Sequence, residues 1–270
     1  MSKKFGNYYE YGAIDSDTWW IRDCFGNYCY LLCGRERGLL VDTAIGIPGL
    51  KELVQSLTQK PVTVILTHGH LDHIGGMGDW DQVWIHEKDR EVLKLHQSCG
   101  YRRCIKGLAE EVGIMVPEAV LEACIHMKFP KTVRSLDEKE ISMGNRRIRI
   151  INTPGHTRGS VCLWEEERGN LYSGDTVCEK RVMLSFPESA GCSEFAATME
   201  KLMRLIDEKS SIYPGHNRIA LSKQWILWYQ VCARRLEYDS ERICSLKEES
   251  VFGKYFVYQY GNVEITYKNG

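Results

Sequence analysis

No apolar run in this chain approaches the roughly 20 residues needed to cross a bilayer. The opening residues, Met1-Ser2-Lys3-Lys4-Phe5, lack the apolar stretch of a secretory leader. One-signed charge is absent too: 35 Lys and Arg against 36 Asp and Glu leave a net charge of −1. That excludes the basic field on which electrostatic binding of nucleic acid rests. There is no Cys-x-x-Cys pair, although the chain has 11 cysteines; the nearest neighbours are Cys24, Cys29 and Cys33. An odd, scattered set is neither a disulfide framework nor a zinc ribbon. The thiols read as small buried hydrophobes of a reduced, cytoplasmic protein. A small-molecule substrate is the expected partner, with no nucleic acid and no membrane, and a homo-oligomer is left open.

Histidine is scarce as well, at eight residues, yet three of the eight fall within His68-Gly69-His70-Leu71-Asp72-His73. This stretch follows Val62-Thr63-Val64-Ile65-Leu66, short, apolar and β-branched, which reads as a buried strand. His68 and His70 are two apart, so in extended chain they project to one side and can chelate one ion. Asp72 and His73, past the turn, can point to a second position. Crowded imidazoles repel when protonated; a metal ion binds them neutral.

Around this stretch the chain reads as a single domain over residues 1–270, with 43% apolar and 26% charged residues. Tyr28–Cys33 and Gly38–Val41 read as strands, the second ending at Asp42-Thr43. Asp42 is either a group that orients ligands or a turn-former. A helix is expected over Pro48–Gln59, and another strand over Val83–His86, where His86 is structural. Residues 87–128 form a helical insertion divided at Gly100, Gly113 and Pro117, read as a substrate-shaping lid; His96 and His126 within it are structural. Strands are expected over Arg146–Ile151, Val161–Glu165 and Leu171–Ser173. Ser193 is expected to cap a helix that turns Phe195, Met199, Leu202 and Ile206 to the core. A C-terminal helix over about 219–247 and a hairpin turning at Gly261-Asn262 complete residues 219–270.

Ligand-type residues recur where apolar strands end: His156 in Asn152-Thr153-Pro154-Gly155-His156, Asp175 in Ser173-Gly174-Asp175, and His216 in Pro214-Gly215-His216. Seven candidate ligands result: His68, His70, Asp72, His73, His156, Asp175 and His216. Catalytic tetrahedral sites leave one position for water, so seven divide over two ions. His68, His70 and His156 would hold one, and Asp72, His73 and His216 the other, with Asp175 between them.

The order His-x-His-x-Asp-His, Pro-Gly-His, Ser-Gly-Asp, Pro-Gly-His resembles the metallo-β-lactamase superfamily of hydrolases across roughly residues 25–220. The resemblance implies an α/β (α+β) fold, a four-layer αββα sandwich, with a two-metal site, and it supports the same division of ligands. Dedicated β-lactamases of this fold lack an acid matching Asp175, and the flavin-linked diiron branch carries Glu where this chain has His70. The glyoxalase II and lactonase-like branch shares all seven ligands. Its glutathione-binding segment, however, is not evident in Val177-Cys178-Glu179-Lys180-Arg181-Val182-Met183.

The activity so implied is hydrolysis of a small ester, thioester or lactone by a hydroxide bridging two divalent ions. Zinc is the first choice, with iron or manganese as the others. Asp72 is both ligand and the group that orients the nucleophile. Arg102, Arg103, Lys180 and Arg181 are candidates to hold an anionic group of the substrate. Alternatives are a phosphodiesterase on the same site, a mononuclear iron sulfur-dioxygenase, a weak β-lactamase, or a metal-binding protein without turnover.

Overall fold

A computed structural model of the chain describes residues 2–137, 139–217, 219–238 and 246–268. The chain forms two compact units, Met1–Ile148 and Arg149–Gly270.

The first unit is built on an eight-stranded sheet whose strands lie side by side in chain order. They are β1 (Lys3–Phe5), β2 (Tyr9–Asp15), β3 (Thr18–Asp23), β4 (Tyr28–Cys33), β5 (Gly38–Val41), β6 (Val62–Ile65), β7 (Gln82–Ile85) and β8 (Thr132–Ser135). Pairing is antiparallel up to β5 and parallel from β5 to β8. The switch follows from the connections. Tight turns join the early strands, whereas helix α1 (Leu50–Leu57) carries the chain back between β5 and β6. Leu50, Leu53 and Val54 recur at helical spacing and are all buried. β4 and β5 are apolar throughout and almost wholly buried, as strands covered on both faces are. The short helix α2 (Leu71–Ile74) follows β6.

Between β7 and β8 lies the helical insertion: α3 (Arg90–His96), α4 (Cys99–Arg102), α5 (Cys104–Glu111) and α6 (Glu118–Ile125). The sequence predicts about three pieces here; the structure has four helices, with breaks at Gln97-Ser98 and at Arg103, and Gly100 sits inside α4. His86 accepts a hydrogen bond from the Lys88 amide through Nδ1 (3.2 Å) and so caps a turn. The short strand β9 (Glu140–Ser142) follows β8.

The second unit contains the strand order β14-β12-β11-β10, with β10 (Arg147–Asn152), β11 (Val161–Glu165), β12 (Asn170–Gly174) and β14 (Ser211–Pro214). A four-stranded sheet runs β13-β17-β16-β15, from β13 (Arg181–Met183), β15 (Leu246–Ser250), β16 (Gly253–Tyr260) and β17 (Val263–Tyr267). Two helices, α7 (Cys192–Leu205) and α8 (Gln224–Tyr238), share a core in which Phe195, Met199, Leu202, Ile226 and Tyr229 are fully buried. The expected hairpin is present: Tyr260 pairs with Val263, and Gly261 takes the left-handed φ of +57° that the two-residue turn requires.

Two expectations are corrected. Helix α7 starts at Cys192 after Gly191, so Ser193 lies in its first turn and is not its cap. Among the described residues the C-terminal helix ends at Tyr238, and residues 239–245 of the expected helix lie outside them. Leu246–Ser250 is strand, because pairing with β16 overrides the helical preference of its Lys and Glu residues. Every described cysteine is a free thiol, and burial pushes Cys124 and Cys232 up to about 12 and Cys162 up to about 11.

Glycines near the histidine loop allow close backbone contact. A Cβ on Gly75 would lie 2.0 Å from the Ile45 carbonyl carbon, and Gly75 N–H donates to the Ala44 carbonyl. Gly75→Ala is expected to lower the urea midpoint by an amount equivalent to about 1–3 kcal/mol. Gly100→Ala, inside α4 with nothing within 4 Å, is expected to raise stability by about 0.5–1 kcal/mol. Equal midpoints for the two variants would contradict this packing.

Candidate metal centre

In the first unit the parallel strands β5 and β6 end side by side, which brings Asp42 next to the loop that carries His68, His70, Asp72 and His73. Two left-handed residues, Asp42 (φ +63°) and Ala44 (φ +52°), turn the chain after β5. The turn lets Thr43 donate from both its amide (2.7 Å) and its hydroxyl (2.9 Å) to the His73 carbonyl. The two loops are thereby locked together.

Asp42 is buried, and its carboxylate organises the site. Oδ1 accepts from the Thr67 amide (2.7 Å), and Oδ2 accepts from the Thr67 hydroxyl (2.8 Å) and from His73 Nδ1 (2.8 Å). Thr67 has one hydroxyl proton and gives it to Asp42. Its oxygen is therefore the acceptor in the 3.0 Å contact with His68 Nδ1. Both His68 and His73 thus carry a proton on Nδ1 and their lone pair on Nε2, as metal-binding imidazoles do. The rings are crowded. The His68 centroid lies 4.7 Å from that of His70 and 4.1 Å from that of His73, and all three residues are buried. Asp72 Oδ2 is 4.0 Å from His73 Nε2 and is partly exposed.

The second unit gathers His156, Asp175 and His216. The parallel pair β12 and β14 ends with Gly174 opposite Pro214, and the Gly215 amide donates to the Gly174 carbonyl (2.9 Å), so the loops bearing Asp175 and His216 are adjacent. His156 Nδ1 donates to the Met183 carbonyl (2.8 Å), again leaving Nε2. His156 Nε2 and His216 Nε2 lie 3.5 and 3.3 Å from the same oxygen, Asp175 Oδ2. Those separations are long for a charge-assisted hydrogen bond, about 2.7–2.9 Å. They match donors that share an ion: two ligands at about 2.0–2.1 Å from a tetrahedral centre are ~3.3–3.4 Å apart. A set of neutral imidazole nitrogens and carboxylate oxygens fits a divalent metal, and among the ligands there is no thiolate.

The cationic candidates divide differently from expectation. Arg102 is fully buried and donates to the carbonyls of Ile45, Leu71 and Cys124. Burial pulls its guanidinium down to about 10, still charged at neutral pH. Arg181 is held by Glu248 (2.7 and 3.1 Å) and by Glu264. Both side chains have their partners within their own units. Arg103 and Lys180 are exposed, Lys180 with Nζ 3.5 Å from Glu264. The large cleft of the first unit, about 580 Å³ and lined by Trp80 and Trp84, contains none of the seven candidate ligands. Thr67 escaped the sequence reading, since a threonine beside a histidine carries no pattern; Asp42 was signalled by its place at a strand end.

A model of the metallo-beta-lactamase superfamily matches residues 22–216. The chain belongs to this superfamily. It is a hydrolase with the mixed α/β fold expected from its motifs. The human acyl-coenzyme A thioesterase MBLAC2 is 26% identical over 230 residues, covering 77% of this chain and 81% of the relative. Among solved structures, a metallo-beta-lactamase from Erythrobacter litoralis superposes with a TM-score of 0.62 at 16% identity, covering 87% of this chain and all of that one. The protein TTHA1623, solved in a di-iron-bound form, gives a TM-score of 0.53 at 25% identity, covering 74% and 91%.

Asp42→Asn removes an acceptor that two rings depend on. We expect its divalent-metal affinity, read by competition with a chromogenic chelator, to fall about 10–100-fold with the fold retained. Unchanged affinity would mean that the carboxylate does not orient these ligands.

Proposed function

We propose that this superfamily member is a divalent-metal-dependent thioesterase acting on acyl thioesters of coenzyme A. His68, His70 and His156 would hold one ion and Asp72, His73 and His216 a second, with Asp175 as the shared ligand. The whole chain would act as one hydrolase domain. The observation that carries the reading is the common posture of His68, His73 and His156: each has Nδ1 fixed by an oxygen and Nε2 left for a ligand bond. The substrate class is supported by the likeness to the thioesterase MBLAC2. Zinc suits this donor set, and the di-iron relative keeps iron as the second candidate.

Divalent ions in such a site supply Lewis acidity, which brings the pKa of water toward neutrality and polarises a carbonyl. The chain's own groups do the rest. Asp72 Oδ2 takes the proton of the attacking water and returns it on the side of the departing sulfur. A thiol of pKa about 8.5 leaves readily as thiolate, so a thioester asks little of the acid. Arg103 and Lys180 are the two proposed cations for the phosphates of the coenzyme.

The test is a substrate panel of acyl-coenzyme A thioesters of increasing chain length, glutathione thioesters, lactones, a bis-aryl phosphodiester and a cephalosporin. Metal-dependent release of coenzyme A, abolished by chelation and restored by zinc or ferrous iron, is expected. Turnover of the phosphodiester or a glutathione thioester without any acyl-coenzyme A turnover would refute the assignment. Asp72→Asn, loaded with metal, should lose about 10²–10⁴-fold in kcat; near-native kcat would remove Asp72 from the proton transfer.

A further inference from the structure

The helical insertion touches the metal loop at its backbone, and every contact is buried. The Gly69 amide, between His68 and His70, donates to Asp89 Oδ2 (2.8 Å). The Leu71 amide, between His70 and Asp72, donates to His96 Nδ1 (3.1 Å). The Leu71 carbonyl accepts from Arg102 Nη1 (3.1 Å), while the same guanidinium reaches Cys124 on α6 and Ile45 after β5. The His96 ring also stacks on His70 with centroids 4.6 Å apart and planes at 23°. Asp89, His96 and Arg102 are each 0–1% exposed. The first turn of α3 lies so close that a Cβ on Gly69 would meet the Leu93 amide nitrogen at 2.7 Å.

We propose that Asp89, His96 and Arg102 are positioning residues for the metal ligands, and that the insertion over 87–128 is a fixed clamp on the loop and not a lid that opens. A hydrogen-bonded, buried group is costly to release, and opening the insertion would release three at once. The three contacts fix the peptide groups His68–Gly69, His70–Leu71 and Leu71–Asp72, and with them the direction in which His70 and Asp72 project. Arg102 ties the loop after β5 to the loop after β6, so it acts on the same two loops as Asp42. The inference rests on the proposed metal site.

Its test uses Co²⁺ as the probe, with two readouts that need no turnover: the dissociation constant and the visible ligand-field spectrum. His96→Phe keeps a ring against His70 but removes the acceptor for the Leu71 amide. His96→Asn restores an acceptor close to the position of Nδ1. The expected result is a loss of about 10–100-fold in Co²⁺ affinity and a changed spectrum for Phe, with Asn close to wild type. Equal affinity and identical spectra for all three proteins would overturn the proposal. Failure of the wild type to bind Co²⁺ would instead overturn the metal site itself. Hydrogen exchange on the wild type keeps the question open to decision should the Phe variant not fold. The Gly69 and Leu71 amides are expected to exchange as slowly as those of β6, whereas much faster exchange would mean that the insertion opens as a lid.

Discussion

The carboxylate of Asp42 is the contact on which the arrangement of the histidines in the first unit depends. It is a buried charge with three hydrogen bonds, two from Thr67 and one from His73, and through the Thr67 hydroxyl it also reaches His68. A buried carboxylate is tolerated only when its lone pairs are used, and here the use is to set the tautomers of two imidazoles. The left-handed turn at Asp42 and Ala44, the crossing of Gly75 over Ile45 and the Thr43 clasp on His73 all serve to bring that carboxylate to the end of β6.

The second unit solves the same problem with different means. His156 is braced by the Met183 carbonyl, and the Ser189 hydroxyl donates to the carbonyl of His156 itself (2.8 Å). Parallel pairing of β12 with β14 then sets Asp175 beside His216. In both units the candidate ligands sit on loops at strand ends, where a rigid sheet fixes the base and a short loop fixes the direction.

Much of this was legible in the sequence, because the strands that carry the ligands are short, apolar and β-branched, and because ligand-type residues punctuate their ends. β4 and β5 fall within the residues that the sequence marks, and so does the hairpin at Gly261. The errors have physical causes. Leu246 and Lys247 at the start of β15 read as helix because cross-strand pairing is not visible locally. The partners of Arg102 and Arg181 were not legible either, because a sequence does not show which carbonyls or glutamates hold a guanidinium. Thr67 and Asp89 were invisible for the same reason: their role is to hold backbone or rings that only the fold brings near.

We propose that the seven candidate ligands hold metal. Elemental analysis of the chain, purified without chelator or exogenous metal, tests it most directly. The account predicts two divalent ions per chain, zinc or iron. A metal-free protein that takes up neither zinc nor ferrous iron would contradict it.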